Sequence, residues 1–200
     1  MIDLMKSEKI IQLAEENNGT VTAAHISKAG IARGSLKDLV ERGKLEKVAR
    51  GVYILPDHLE DEFVNYQSQF KKGIYSDETA LFLHDLTDRT PLSFSMTFPD
   101  GYNLSKVKEA GIDASRSREP YYSMGIDSLA SPSGNDVRAY DMEKTLCDIL
   151  RPRSGADIQV ISEAYKRYVK RKDKNIPKLS EYAKKLKVEE KVRSYLEVLL

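Results

Sequence analysis

The chain has 200 residues, of which 40% are hydrophobic and 32% are charged, a balance typical of a soluble protein with one large domain or two small ones. Its single cysteine, Cys147, excludes an internal disulfide and any site that needs several thiolates. No apolar run approaches the ~18 residues of a membrane span, and the chain does not start like a secretory signal. We therefore expect a cytoplasmic protein with no metal and no cofactor.

The net charge of +1 hides an uneven distribution along the chain. Residues 1–56 hold 9 Lys/Arg and 7 Asp/Glu, residues 57–150 hold 9 and 17, and residues 151–200 hold 14 and 7. Both ends are therefore basic and the middle is acidic. This pattern favours a polyanionic partner held at one or both ends.

The first residues predict three helices. The first helix contains residues 10–14 and ends near Gly19, and Thr22 is a favourable N-cap for a short second helix that ends at Gly30. A third helix is expected from about Ala32 to Arg42. Its buried stripe consists of Leu36, Leu39 and Val40.

A β-hairpin is predicted after the third helix. Two short β-prone runs, 45–48 and 52–55, flank Arg50-Gly51, where the glycine supplies the turn. The order of helix, short helix, helix and hairpin is that of a winged helix-turn-helix. We place this domain at residues 1–56, and it predicts binding to double-stranded DNA.

The polar residues of this domain fit that function. Arg33, Ser35 and Lys37 are expected to enter a major groove about 12 Å wide, and Arg50 at the wing tip is expected to reach phosphate or the minor groove. A small helical domain for protein contacts, with its charges merely solvated, is the alternative. The full set of predicted DNA-binding residues is Lys28, Arg33, Ser35, Lys37, Arg42, Lys44, Lys47 and Arg50.

Residues 57–200 predict a second domain of mixed α/β structure that ends in helices. After Pro56-Asp57, a helix with the apolar face Leu59, Phe63, Tyr66 and Phe70 is expected, and it is assigned to the second core. Ser76 is expected to cap the next helix. The alternating residues 92–98 predict a half-buried strand, with further strands at 121–124 and 137–140.

The last fifty residues predict helices with clustered cations. We expect helices at 157–171, about 178–186 and 188–200, after a helix that Asp141 caps. A solvated helical face is the simplest explanation of the cations, and a second electrostatic contact with nucleic acid is the alternative. The residues considered for that contact are Lys166, Lys170, Arg171 and Lys184.

Catalysis has little support in the sequence, and no catalytic residue is assigned. His84-Asp85 has no accompanying nucleophile motif, so a hydrogen bond at a helix end is the expected role of His84. Cys147 lies among apolar residues and is expected to be a small buried side chain.

Two longer motifs resemble a known family. They are Gly73-Ile74-Tyr75-Ser76-Asp77-Glu78-Thr79-Ala80-Leu81 and Val137-Arg138-Ala139-Tyr140-Asp141-Met142-Glu143-Lys144-Thr145-Leu146-Cys147-Asp148, and they accompany the wing segment Val48–Pro56 and the segment Arg89-Thr90-Pro91. With these motifs the chain resembles the AbiEi-type antitoxins of bacterial type IV toxin–antitoxin, or abortive phage infection, systems. The resemblance extends from about residue 5 to residue 200.

The resemblance implies a function that composition alone does not. Such an antitoxin represses its own operon by binding inverted repeats in the promoter, and it counteracts a co-encoded nucleotidyltransferase-like toxin without needing a stable complex. Glu143, Lys144 and Asp148 fit a helix-orienting role as well as an antitoxic one. The alternatives are a stand-alone transcription factor whose second domain binds a ligand or regulator and, third, an enzyme with a DNA-targeting domain.

Overall fold

The computed structural model describes residues 2–199, with side chains from Met5 onward, so Met1 and Leu200 lie outside it. The chain divides into two units. Unit 1 comprises Met1–Lys71 together with the distant segment Ala130–Val137, and unit 2 comprises Lys72–Leu129 and Arg138–Leu200.

Unit 1 is a winged helix with one added helix. Its elements, in chain order, are α1 (Ile2–Glu16), β1 (Thr20–Thr22), α2 (Ala23–Lys28), α3 (Gly34–Glu41), β2 (Glu46–Ala49), β3 (Val52–Ile54) and α4 (Glu62–Gln69). The three strands form an antiparallel sheet in the order β1-β3-β2. The predicted winged helix-turn-helix is therefore confirmed, with β1 as a strand that the sequence pattern did not predict.

The core of the winged helix is apolar and is formed by all three helices. Leu36 and Leu39 of α3 are buried, whereas Val40 is only half-buried. They pack in one cluster with Ile10 and Ala14 of α1. Thr22 caps α2 as predicted, since its hydroxyl accepts a hydrogen bond from the His25 backbone N–H at 3.2 Å. This packing fixes which side of α3 faces away from the protein.

Helix α4 corrects two predictions. Asp61 caps it, so the helix begins at Glu62, and Leu59 lies before it with 89% of its surface exposed. Helix α4 contacts β2 and β3, which places it in unit 1 and not in the second core. The division between units therefore differs from the boundary predicted at Pro56-Asp57.

The distant segment of unit 1 is held by the same aspartate. The buried Asp61 accepts hydrogen bonds from the backbone N–H of Phe63 at 3.0 Å and of Val64 at 3.4 Å through Oδ1. Its Oδ2 accepts bonds from the Ser131 hydroxyl at 2.5 Å and from the Asn135 side-chain amide at 2.9 Å. The Asp61 carboxylate thus binds two residues that lie 70 and 74 positions further along the chain.

Unit 2 consists of a mixed sheet with helices. Its elements, in chain order, are β4 (Ile74–Tyr75), α5 (Asp77–Leu83), β5 (Ser95–Pro99), α6 (Ser105–Glu109), β6 (Asp113–Ser117), β7 (Ile126–Ala130), β8 (Asp136–Tyr140), α7 (Met142–Asp148), α8 (Ile158–Lys170), α9 (Ile176–Leu186) and α10 (Glu189–Leu199). The strand order is β6-β5-β4-β8-β7, with β4 antiparallel to β5 and parallel to β8. The ends of β7 and β8 extend into the segment that belongs to unit 1.

Strand β5 is more buried than its alternating sequence predicts. Ser95, Met96, Thr97 and Phe98 are all buried, because β5 lies between β4 and β6. The Ser95 backbone N–H donates a hydrogen bond to the Thr79 hydroxyl at 2.8 Å. The Thr97 hydroxyl bonds that of Ser76 at 3.0 Å. Leu92, expected on the apolar face of this strand, lies before it and is fully exposed.

Two further differences concern elements between β5 and α7. Residues 121–124, expected as a strand, form turns, whereas β6 and β7 were not predicted.

The helices after the sheet agree with the predicted ones. Asp141 caps α7 as expected, by accepting a hydrogen bond from the Lys144 backbone N–H at 2.8 Å. Helix α8 buries Tyr165 and Tyr168.

Candidate nucleic-acid interface

Helix α3 presents its polar side chains to solvent because Leu36 and Leu39 anchor its opposite side. Arg33, at the N-cap position, is exposed, and its Nε donates to the Ser27 hydroxyl at 3.1 Å, which ties the turn between α2 and α3. Lys37 is exposed and lies 3.5 Å from a Glu41 carboxylate oxygen, an i, i+4 ion pair on the helix surface. Two of the three residues expected to enter the groove are therefore already engaged within the free protein.

The wing is the turn between β2 and β3. Arg50 lies in that turn and is exposed, and Gly51 adopts a φ of 78° that favours glycine. The Gly51 carbonyl accepts a hydrogen bond from the Ala23 backbone N–H at 2.8 Å, so the wing is attached to the start of α2. An irregular register between Lys47 and Ala49 bends the strand that leads into the turn.

The predicted DNA-binding residues all lie on the surface of unit 1. Ser35 is half-buried, and the seven basic side chains are exposed. Among the residues that the structure describes, five of these side chains have no ion-pair partner, and they are Lys28, Arg42, Lys44, Lys47 and Arg50. Such cations are available to neutralise phosphates.

The four residues considered for a second contact differ from one another. Lys166 and Lys170 are exposed on α8. Arg171 is held by Asp173 through Nε and Nη2, each at 2.8 Å, and by the His84 carbonyl through Nη1 at 3.1 Å. Lys184, on α9, lies 4.0 Å from Glu189. Arg171 therefore serves the fold of unit 2, whereas the two lysines of α8 remain candidates.

The charged residues of the α7 motif are buried and have partners. Glu143 accepts hydrogen bonds through Oε1 from the Tyr168 hydroxyl at 2.8 Å and from the Asn175 backbone N–H at 3.2 Å. Lys178 forms an ion pair with Asp141 at 2.8 Å. These contacts attach the beginning of α7 to α8 and α9.

A second buried cluster lies at the end of α7. Lys144, which is fully buried, forms an ion pair with Asp148 and lies over the Tyr140 ring, 4.3 Å from its centroid. Asp148 also pairs through Oδ1 with Arg151 at 3.3 Å and Arg153 at 3.5 Å. The charges of Lys144 and Asp148 are thus satisfied inside the unit, which fits the helix-orienting role considered for them.

Asp77 is an acidic group close to this cluster. It begins α5 with a φ of 47°, a left-handed conformation that aspartate tolerates better than most residues. Burial raises the pKa of Asp77 to about 6, and the nearby Asp148 carboxylate raises it further while Arg153 opposes the shift. This shift could not be predicted from the sequence, because Asp148 is distant from Asp77 along the chain.

The residues weighed for catalysis have structural surroundings. His84 ends α5, and its Nε2 lies 2.8 Å from the Tyr140 carbonyl, a hydrogen bond at a helix end as expected. Burial lowers the pKa of His84. Cys147 is fully buried, and burial raises the pKa of its thiol to about 12, which disfavours the nucleophilic thiolate.

Two general features can be stated for the described part of the chain. Between residues 2 and 199, no group of three His, Cys, Asp or Glu side chains is placed to hold a metal ion. No helix in the same range is long and apolar enough to cross a membrane.

A comparison with known protein families found a match over the winged helix. The model of a family described as "Transcriptional regulator, AbiEi antitoxin" matches residues 8–56. Residues 8–56 are similar to this family. The matched segment covers part of α1, all of α2 and α3, and the wing, and over these residues the predicted resemblance to AbiEi-type antitoxins is confirmed. A comparison with curated proteins gave no match.

The fold also has a counterpart among solved structures. The crystal structure of the RV2827C protein from Mycobacterium tuberculosis is similar with a TM-score of 0.53 at 13% sequence identity. The alignment covers 90% of this chain and 71% of that chain. At this identity the similarity concerns the fold alone, and it extends well beyond the winged helix.

Proposed function

We propose that the protein is an antitoxin that represses its own toxin–antitoxin operon by binding inverted repeats in the promoter. The observation that carries this proposal is the match of residues 8–56 to AbiEi antitoxin regulators, on a winged helix with exposed basic side chains. Lys44, Lys47 and Arg50 supply cations at and near the wing, and α3 supplies the groove-facing helix. Such a regulator acts in the cytoplasm.

The second part of the proposal concerns the toxin. The protein counteracts a co-encoded nucleotidyltransferase-like toxin of a type IV, phage-defence system, without a stable complex between the two. We assign it no catalytic activity and no cofactor. The alternative function is a stand-alone transcriptional regulator whose unit 2 binds a ligand or a partner.

Repression is tested with a reporter gene under the control of the protein's own upstream region. The full chain should repress it, and the triple variant Lys44→Ala/Lys47→Ala/Arg50→Ala should lose at least about tenfold in repression, because each phosphate contact contributes to affinity. The matched control is Lys72→Ala/Lys106→Ala/Lys108→Ala, which removes the same charge from exposed positions in unit 2 that are not considered for a nucleic-acid contact, and it should keep full repression. No repression by the full wild-type chain would contradict the proposal.

Antitoxicity is tested separately from repression. The protein and the product of the neighbouring gene are expressed from unrelated promoters, so that repression cannot lower the level of the toxin. The wild-type chain and the wing variant should both protect the cells, because the wing cations act on DNA. Repression without protection by the wild-type chain would favour the stand-alone regulator.

A further inference from the structure

The outward face of α3 is centred on residues that the basic pattern did not single out. With about 3.6 residues per turn, Gly34, Asp38 and Glu41 lie opposite the buried Leu36 and Leu39. All three outward residues are exposed. The side of α3 that faces furthest from the core therefore carries a glycine and two carboxylates.

The two carboxylates differ in their surroundings. Glu41 is paired with Lys37 on the helix surface. In the part of the chain that the structure describes, the Asp38 side chain has no ion-pair or hydrogen-bond partner. An unpaired carboxylate on a DNA-facing helix repels phosphates and weakens binding to any duplex that does not offer it a hydrogen-bond donor.

The glycine has no explanation in the fold. A methyl group added at Gly34 would meet no atom within 4 Å, and its φ lies outside the left-handed region, unlike those of Gly30 and Gly43 at 70° and 65°. Glycine is, after proline, the least favourable residue in a helix interior, and alanine is at least as favourable as glycine at the first position of α3, where Gly34 lies. Position 34 has room for a side chain and does not need the backbone freedom of glycine. The close approach of another molecule would explain why glycine is found there.

We infer that Gly34 and Asp38 form the base-reading surface of α3, with Asp38 accepting a hydrogen bond from the amino group of a cytosine in the major groove. Gly34, one turn before Asp38, lets the helix backbone come close to the DNA. In the major groove, cytosine presents the N4 amino donor, which a carboxylate accepts. Adenine also presents an amino donor there, but its N7 acceptor lies beside it and would face the second carboxylate oxygen. This inference rests on the proposed DNA-binding function.

The test is selection from a random duplex library with the full-length protein. The wild-type chain should enrich a site with a required C·G pair, and Asp38→Asn should exchange that preference for A·T, because asparagine binds adenine N6 and N7 together. The preference of the variant for C·G over A·T at this position should be at least about tenfold lower than that of the wild type. Affinity for a shuffled duplex should rise, since a charge that repels phosphates is removed.

Two further variants sharpen the test. Glu15→Gln removes one exposed carboxylate from α1 and should leave the selected sequence unchanged. Gly34→Ala should bind the selected site at least about tenfold more weakly, while its melting temperature stays equal to or above that of the wild type, because alanine favours the helix. Weaker binding together with unchanged or higher stability is a result that a merely structural glycine would not give.

The outcomes separate this inference from the proposed function. If the wild-type protein enriches a sequence but Asp38→Asn keeps the same preference, or if Gly34→Ala keeps full affinity, the inference is overturned and the DNA-binding function stands. If the wild-type protein enriches no sequence at any salt concentration, both are overturned.

Discussion

The winged helix and helix α7 both carry conspicuous charged motifs, yet the structure treats the two sets of charges differently. On the winged helix, Lys44, Lys47 and Arg50 are exposed. On α7, Glu143, Lys144 and Asp148 are at most 3% exposed, and each is bound by neighbouring side chains or backbone. Exposed charges are available to a partner, whereas the buried charges of a motif specify the arrangement of the helices around it.

The largest expected effect tests the buried side of this comparison. Lys144→Ala removes a fully buried ammonium group from beside Asp148, which keeps Arg151 and Arg153 as partners. The free energy of unfolding should therefore fall by about 3 kcal/mol, the low end for a broken buried ion pair. Chemical denaturation of the full chain measures this loss. Lys166→Ala, an exposed lysine on α8, is the control and should change stability by less than about 0.5 kcal/mol. Equal losses of stability from the two substitutions would contradict the distinction between buried and exposed charges.

The next effect concerns the buried carboxylate of unit 1. Asp61→Ala removes the cap of α4 and leaves the Ser131 and Asn135 donors without their acceptor, which should cost about 2–3 kcal/mol of stability. Ser131→Ala removes one bond to Asp61 and the bond that the Asn135 backbone N–H donates to the Ser131 hydroxyl at 3.1 Å, and it should cost about 1–2 kcal/mol. If Asp61→Ala cost no more than Ser131→Ala, the carboxylate would not hold the distant segment as described.

A smaller effect of opposite sign is expected at Asp77. Its pKa is raised from 3.8 to about 6 in the folded protein, so the wild-type free energy of unfolding should fall as pH rises through that range. Asp77→Asn removes the buried charge and keeps a residue that tolerates the left-handed backbone, and it should stabilise the protein by about 1–2 kcal/mol at pH 7.5. The gain should disappear near pH 4, where the wild-type carboxyl is protonated. A gain that does not depend on pH would show that the charge is not its cause.

The sequence predicted the winged helix well because its signals are local. The stripe Leu36, Leu39 and Val40, the cap Thr22 and the turn at Gly51 each depend on neighbouring residues, and each was found close to the expected place. The exposure of the basic residues of the winged helix could also be predicted from the sequence, because unpaired lysines and arginines are rarely buried.

The missed features depend on distant residues. The unit to which α4 belongs is set partly by Asp61, whose partners Ser131 and Asn135 lie far along the chain. The burial of both faces of β5 was hidden because Ser95 and Thr97 look polar in sequence. In the structure the Thr97 hydroxyl bonds that of Ser76, and the Ser95 backbone N–H donates to the Thr79 hydroxyl. Strand β6 was missed because its sequence, Asp113–Ser117, contains no apolar residue larger than alanine.

The most direct test of the account is the salt dependence of binding by the full-length protein to its own upstream DNA. If the exposed cations of the winged helix neutralise phosphates, affinity should fall by about 10³-fold or more between 50 and 200 mM salt. Arg50→Ala should reduce the slope of log affinity against log salt by about 1 and weaken all sequences evenly. A flat response to salt would contradict the claim that these side chains bind DNA.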